Sequence, residues 1–319
     1  MILELRNESK TKEPTVMNVQ ITENKLLKLY IEVDDLHLEY EKYQKRKGLF
    51  PKKRPTRVSQ LNGSEVCTIL VAYHHSGYKC FEYYYRNSIL ITYKSCFPEA
   101  PSYECFLSYI EKATSMIYLW LLYSVSQSKK TGLYFIDSKK LPVCHLRREK
   151  SHKVFKGIAR KGKTSTGWFF GLKIHLIINN LGEIVAFDLT TGNVADNNQK
   201  LLLKLLNGLN GYCVGDKGYF TKLFDTFYEN GLHLITKPKK KMKPLPTKNL
   251  NNMLINKRGI VESTFDILMT VCDIEHTRHR KPINAATHIL AALIAYQFLD
   301  KKPNVFFPSI QNGLVKKAA

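Results

Sequence analysis

The sequence lacks long apolar runs and a signal-peptide pattern. Its longest apolar stretches, around Met116–Val125 and Ile289–Leu299, are about half the roughly 20 residues that a membrane span needs. The segment Met1–Lys12 is polar and charged, which is unlike the n- and h-regions of a secretory leader. These features predict a cytoplasmic protein with no membrane partner.

Paired cysteine motifs are also missing. The seven cysteines are scattered, odd in number, and no two stand in C-x-x-C spacing. This pattern argues against a zinc module and against a disulfide framework. We expect buried, reduced thiols.

Acidic residues are few compared with basic ones. Lys and Arg total 49 and Asp and Glu total 27, a formal net charge of +22. Such an excess favours a polyanionic partner: DNA, RNA or an anionic membrane. Because the cations recur along the whole chain, we favour nucleic acid over a merely soluble basic protein, and we expect the protein at the nucleoid.

Helical spacing dominates the first part of the chain. Asn62 and Glu65 have the spacing of a capping box, and the apolar residues that follow repeat with the helical period. Apolar residues also repeat at this period across Leu26–Tyr40 and Phe106–Trp120. The chain is therefore divided into a loose arm over residues 1–25, an all-helical domain over 26–126, a catalytic domain over 127–302 and a tail over 303–319.

Strand patterns begin at Gly132. A hairpin of extended segments leads into alternating helices and strands, an order that predicts an α/β fold of the ribonuclease H-like kind with a mixed five-stranded sheet. The predicted strands are Gly132–Ser138, Trp168–Asn179, Glu183–Thr191, Tyr212–Asp216 and Leu232–Lys237, and the predicted helices are Ala195–Leu206, Phe220–Asn230, Asn256–Cys272 and Ile283–Leu299.

Three acidic residues suit a metal-bound carboxylate site. Asp137 and Asp216 each end a short apolar run, and Glu262 lies in a segment that reads as helix. Singly, a strand-end Asp often caps a turn and a helical Glu is usually solvated. Together, on neighbouring strands and a helix in a basic chain, they predict two Mg²⁺ or Mn²⁺ ions and in-line displacement at phosphorus on DNA.

Several stretches resemble the DDE transposases of bacterial insertion sequences, and most closely insertion-sequence family 982. The most specific is GWFFGLKIHL at residues 167–176; the others include FIDS at 135–138, TGNVAD at 191–196, GDKGY at 215–219 and RGIVE at 258–262. The resemblance implies that Asp137, Asp216 and Glu262 form the metal-binding catalytic triad, and that Arg258 orients Glu262 or holds a phosphate. Ile255 and Met269 stand where the wider superfamily often has Tyr and Lys, so those two auxiliary roles are not carried over.

Clustered cations predict the surfaces that contact DNA. Lysines and arginines this dense neutralise phosphates, although a solvated loop is the plainer interpretation. Lys173 and His175 share one face of a strand, facing either DNA or the active site, and a structural histidine is about as plausible. Asp196 could support the metal site, but we favour a helix cap. The predicted DNA-binding residues are Arg147, Arg148, Lys153, Lys156, Arg160, Lys161, Lys163, Lys173, Lys239, Lys240 and Lys241.

The resemblance implies a transposase that acts as a homodimer on double-stranded DNA. It would bind the element's terminal inverted repeats through the helical domain, hydrolyse phosphodiester bonds to expose 3′-hydroxyls, and join these to target DNA. One alternative is a ribonuclease H-like nuclease without strand transfer. Another is an inactive relative that only binds DNA.

Overall fold

The computed structural model describes residues 21–48, 59–237, 248–275 and 279–306. The first 20 residues of the predicted arm, most of the predicted tail, and Lys239, Lys240 and Lys241 lie outside the described residues. The described residues begin with four helices: α1 (Glu23–Lys47), α2 (Gly63–Tyr73), α3 (Phe81–Tyr84) and α4 (Tyr103–Ser126). Four strands follow: β1 (Leu133–Cys144), β2 (Arg160–Thr164), β3 (Gly167–Asn179) and β4 (Ile184–Thr191). The chain then continues through helix α5 (Gln199–Leu205), strand β5 (Gly211–Gly215), helix α6 (Phe224–Glu229) and strand β6 (Leu232–Thr236), and ends in helices α7 (Lys248–Asn256), α8 (Gly259–Thr270) and α9 (Pro282–Gln297).

The predicted capping box is confirmed at the start of α2. The Glu65 amide donates to Asn62 Oδ1 at 2.7 Å, and the Asn62 amide donates to Glu65 Oε2 at the same distance. Both amides would otherwise lack an intrahelical acceptor. The next predicted helix, Lys79–Tyr93, is shorter and less regular: α3 runs directly into a π-helix over Tyr85–Thr92.

The sheet has six strands among the described residues, where five were predicted. The order is β2-β3-β1-β5-β6, with β4 also paired to β3. The additional strand, β2, lies in the basic stretch interpreted as a loop; it buries only Gly162, so its sequence carries no apolar alternation. Strand β1 is longer than predicted, because its pairing with β3 continues past Asp137 to Cys144.

Alternate residues of β1 enter two different cores. Leu133 and Phe135 join a core that includes Phe265 of α8, whereas Tyr134 and Ile136 join a second core with the leucines of α5. Successive side chains on a strand point to opposite faces. We call these the α8 face and the α5 face of the sheet.

The helices before residue 126 share the α8-face core with the sheet. Helix α9 packs against α2 and α4, the Thr114 and Thr287 hydroxyls lie 2.7 Å apart, and the His74 ring nitrogen Nδ1 lies 2.6 Å from the Cys272 carbonyl oxygen. One core therefore crosses the boundary predicted at residues 126 and 127. Within the described ranges, no helix has the length and apolar character to cross a membrane.

Candidate active site

Asp137 lies at the centre of the sheet. Strand β1 pairs with β3 on one side and β5 on the other, and the four residues before Asp137 are buried. The Asp137 side chain follows Leu133 and Phe135 onto the α8 face, where it is 22% exposed. Its Oδ1 accepts a 2.8 Å hydrogen bond from the Ser138 amide, so the carboxylate is held at an opening in an otherwise apolar surface.

Asp216 directly follows β5, which is parallel to β1. The register pairs Leu133 with Tyr212 and Phe135 with Val214, and continuing it by two residues sets Asp216 beside Asp137. Neighbouring strands lie about 4.8 Å apart, so these carboxylates lie next to each other on two central strands, at the point where β5 ends. Asp216 Oδ1 accepts from the Lys217 amide at 2.7 Å, at the start of a short 3₁₀-helix.

Glu262 lies in the first turn of α8, and Arg258 links it to Asp137. The helix predicted over Asn256–Cys272 corresponds to α8, which begins at Gly259, and it is preceded by a separate helix that was not predicted, α7, which ends at Asn256. From the turn between them, Arg258 Nη1 approaches Asp137 Oδ2 at 3.2 Å and Nη2 approaches Glu262 Oε1 at 2.5 Å. The guanidinium thus occupies the space between a strand carboxylate and a helix carboxylate.

Burial raises the pKa of Asp137 to about 6. The Ser138 amide and the Arg258 guanidinium act in the opposite direction, while the charges of Asp196 and Asp216 raise the pKa further. Arg258 therefore offsets only part of the cost of ionising Asp137. The site retains a deficit of positive charge, which a divalent cation would correct.

The carboxylates of Asp137, Asp216 and Glu262 suit a hard divalent cation, since carboxylate oxygens are the ligands that Mg²⁺ and Mn²⁺ prefer. These side chains do not surround a common metal position: across the described ranges, no group of three or more His, Cys, Asp or Glu side chains is arranged to hold a metal ion. The guanidinium of Arg258, which lies between Asp137 and Glu262, is a physical reason why these carboxylates do not surround one point. Arg258 contacts one oxygen of each carboxylate and would compete with a shared cation for those two oxygens.

Asp196 adds a fourth carboxylate beside the site, on the α5 face. Its Oδ1 accepts from Ser138 Oγ at 2.7 Å and from Lys173 Nζ at 3.1 Å. The favoured helix-cap role is wrong, because Asn198 caps α5 by accepting from the Leu201 amide at 3.1 Å. No signal in the sequence places Ser138 and Lys173 on one face, because they lie on different strands and only the register between β1 and β3 sets them there.

Lys173 and His175 belong to the same buried network. Lys173 is 5% exposed, and its Nζ also donates to the Val194 carbonyl oxygen at 3.0 Å. The His175 ring is fully buried, its Nε2 lies 3.0 Å from Thr190 Oγ1, and burial lowers its pKa to about 4. Burial of Lys173 argues against the DNA contact predicted for it and makes it an internal counter-charge for Asp196.

The other predicted DNA-binding residues in the described ranges are exposed. Between β1 and β2 the chain lies on the α8 face: His152 stacks on the buried ring of Phe155 and meets the edge of Phe170 on β3. This packing holds the basic stretch on the same face as Asp137. The exposed cations are Arg147, Arg148, Lys153, Lys156, Arg160, Lys161 and Lys163.

Replacing Asp137 with asparagine is expected to stabilise the metal-free protein near neutral pH. The pKa of Asp137 rises from 3.8 to about 6 on folding, so the folded state binds the proton more tightly and stability falls as the pH rises from about 4 to about 6. Asparagine does not ionise and keeps an acceptor for the Ser138 amide. Urea unfolding in EDTA at about pH 7.5 should give a gain on the order of 3 kcal/mol.

The gain from Asp137→Asn should shrink nearly to zero near pH 3, below the unfolded-state pKa of 3.8, where the wild-type carboxyl group is mostly neutral in both states. Asp266→Asn, an exposed carboxylate on α8, is the matched control. Equal gains at both pH values would show that ionisation of Asp137 is not the cause.

Comparison with known families gives a match over the part of the chain that holds the sheet. Residues 127–282 match the family described as "Transposase DDE domain". The match covers just under half of the chain and includes Asp137, Asp216 and Glu262. It supports a DDE transposase, and a DDE domain implies a ribonuclease H-like fold, in agreement with the mixed sheet described above. No curated protein matches the chain at a significant level.

Proposed function

We propose, from the premise that residues 127–282 match a transposase DDE domain, that this chain is an insertion-sequence transposase of family 982. It cleaves the ends of its element and joins them to target DNA. The observation that carries this proposal is the parallel register of β1 and β5, which sets Asp216 beside Asp137. Arg258 connects the same point to Glu262.

The three carboxylates hold the metal ions in this proposal. Two Mg²⁺ or Mn²⁺ ions would supply an activated water or 3′-hydroxyl and would stabilise the departing 3′-oxygen. Asp137 and Asp216 present their oxygens from adjacent strands, and Glu262 does so from the first turn of α8. Arg258 holds Asp137 and Glu262 near each other before a metal arrives, and a guanidinium released from them is free to pair with a DNA phosphate.

The α8 face supplies the DNA surface. Lys161 and Lys163 share the face that carries Asp137, and the loop before β2 packs on that face through His152 and Phe155, so a duplex bound there passes the carboxylates. In this proposal the helices before residue 126 bind the terminal inverted repeats. Two chains pair on two ends, because both termini must be processed together, and the protein acts on the nucleoid in the cytoplasm.

A strand-transfer assay separates this function from its nearest alternative. The substrate is a labelled, pre-cleaved element end with an exposed 3′-hydroxyl, incubated with supercoiled plasmid and Mn²⁺. A transposase joins the label to the plasmid, whereas a nuclease of the same fold only shortens it. Cleavage without any joined product would overturn the proposal in favour of the nuclease, and DNA binding with neither product would favour the inactive relative.

A further inference from the structure

Trp168 is an exposed aromatic ring flanked by two lysines. It is the second residue of β3 and is 55% exposed, although a ring of this size is usually at least half buried. The Nζ atoms of Lys161 and Lys163 lie 5.0 and 5.5 Å from the centre of the ring. Both ammonium groups lie over the ring in cation–π contacts, and the rest of the aromatic surface is open to solvent.

This ring lies on the same face of the sheet as Asp137. Asp137 is opposite Leu176 on β3, and Trp168 precedes Leu176 by an even number of residues, so both side chains share the α8 face. Lys163 is directly opposite Trp168, and Lys161 is two residues away on the same face. At about 3.3 Å per residue, the ring lies up to roughly 26 Å from the carboxylates along the strand.

The hairpin that carries the ring is held in place by close backbone contacts. A Cβ atom at Gly162 would lie 2.0 Å from the Gly192 carbonyl oxygen, so β2 packs directly against the end of β4. The Gly192 amide donates to the Gly171 carbonyl oxygen at 3.0 Å, and Lys140 Nζ donates to Thr166 Oγ1 at 2.9 Å near the turn. The ring is thus presented on a supported surface.

We propose that Trp168, Lys161 and Lys163 form a stacking site for an unpaired nucleobase of the DNA. Stacking needs an open aromatic face, and the paired cations fit the phosphates on either side of that base. A duplex interior does not expose its base faces, so the site selects a single-stranded or frayed stretch of DNA. This inference rests on the proposed function, because it assumes that DNA crosses the α8 face.

A duplex with a single-stranded tail tests the proposal. Three labelled DNAs are compared by fluorescence anisotropy: a blunt duplex, the same duplex with a tail of about ten thymidines, and the same duplex with an abasic tail of equal length. The abasic tail keeps the phosphates and removes the bases. Wild type should bind the thymidine tail about tenfold more tightly than the abasic tail.

Variants then assign the preference to the ring. Trp168→Ala should bind both tails equally and leave blunt-duplex affinity within about twofold, and Trp168→Phe should keep part of the preference. Replacing Lys161 and Lys163 with alanine should weaken binding to all three DNAs and reduce its salt dependence. Tyr228→Ala is the matched control, because Tyr228 is 63% exposed and lies on α6, which packs on the other face.

Intrinsic fluorescence provides an independent readout. The chain has two tryptophans, and the other, Trp120, is fully buried, so quenching by acrylamide reports on Trp168. The thymidine tail should protect Trp168 from acrylamide and the abasic tail should not. A Trp168→Ala variant that keeps the wild-type preference overturns the stacking site alone. A wild-type protein that binds none of the three DNAs overturns the proposed function with it.

Discussion

Asp216→Asn is expected to reduce cleavage of element ends by about 10³-fold or more while the protein stays folded. Losing one ligand of a metal that stabilises charge in the transition state costs several kcal/mol, and roughly 1.4 kcal/mol corresponds to a factor of ten in rate. Asparagine keeps the oxygen that accepts from the Lys217 amide, so the turn after β5 should survive. A cleavage assay with labelled ends and Mn²⁺ measures the loss.

The control for Asp216→Asn is Asp225→Asn, which removes an exposed carboxylate in the first turn of α6. It should cleave at the wild-type rate. Circular dichroism and anisotropy with a blunt duplex should show that both variants fold and bind DNA. Wild-type cleavage by Asp216→Asn would make the catalytic assignment wrong, even if the protein were an active transposase.

Neutralising Arg148, Lys153 and Lys156 together is expected to weaken duplex binding by roughly 10²-fold at about 0.1 M salt. Each cation that neutralises a phosphate contributes about 0.9 to the slope of log affinity against log salt concentration, so three should remove up to about 2.7. The three side chains are exposed, so alanine should cost little stability. Anisotropy titrations across a range of salt concentrations give both the affinity and the slope.

A matched set of cations lies on the opposite face of the protein. Lys200 and Lys204 are exposed residues of α5, and Lys222 is exposed just before α6, and both helices pack on the α5 face. Replacing these three with alanine removes the same charge from the molecule. If both triple variants lose affinity equally, net charge rather than the α8 face governs binding.

The proximity of Asp137 and Asp216 could be predicted from the sequence, because each residue ends a recognisable local pattern. A short apolar run ending in Asp indicates a buried strand that emerges at its carboxyl end, and the order of elements makes the first and fourth predicted strands neighbours. In the structure these two strands are β1 and β5, which are neighbours and pair in parallel. Asp137 lies within β1 and not at its end, because the strand continues to Cys144, but the parallel register that brings it beside Asp216 does not depend on where β1 ends.

The network around Asp196 could not be predicted, because its members come from three separate elements. Ser138, Lys173 and Asp196 meet only when β1, β3 and the segment before α5 are packed together. A lysine on a strand gives no indication of its own burial. Its charge suggested DNA, whereas its position beneath Asp196 makes it a buried counter-ion.

Local sequence by itself determined the net charge, the capping box at Asn62, the strand–helix order and the positions of the acidic residues. These depend on neighbouring side chains, since periodicity and capping act over a few residues. The tertiary structure alone decided that β2 joins the sheet, that Arg258 lies between Asp137 and Glu262, and that Trp168 shares a face with Asp137. Each of these depends on register and packing between segments far apart in the chain, which no local pattern encodes.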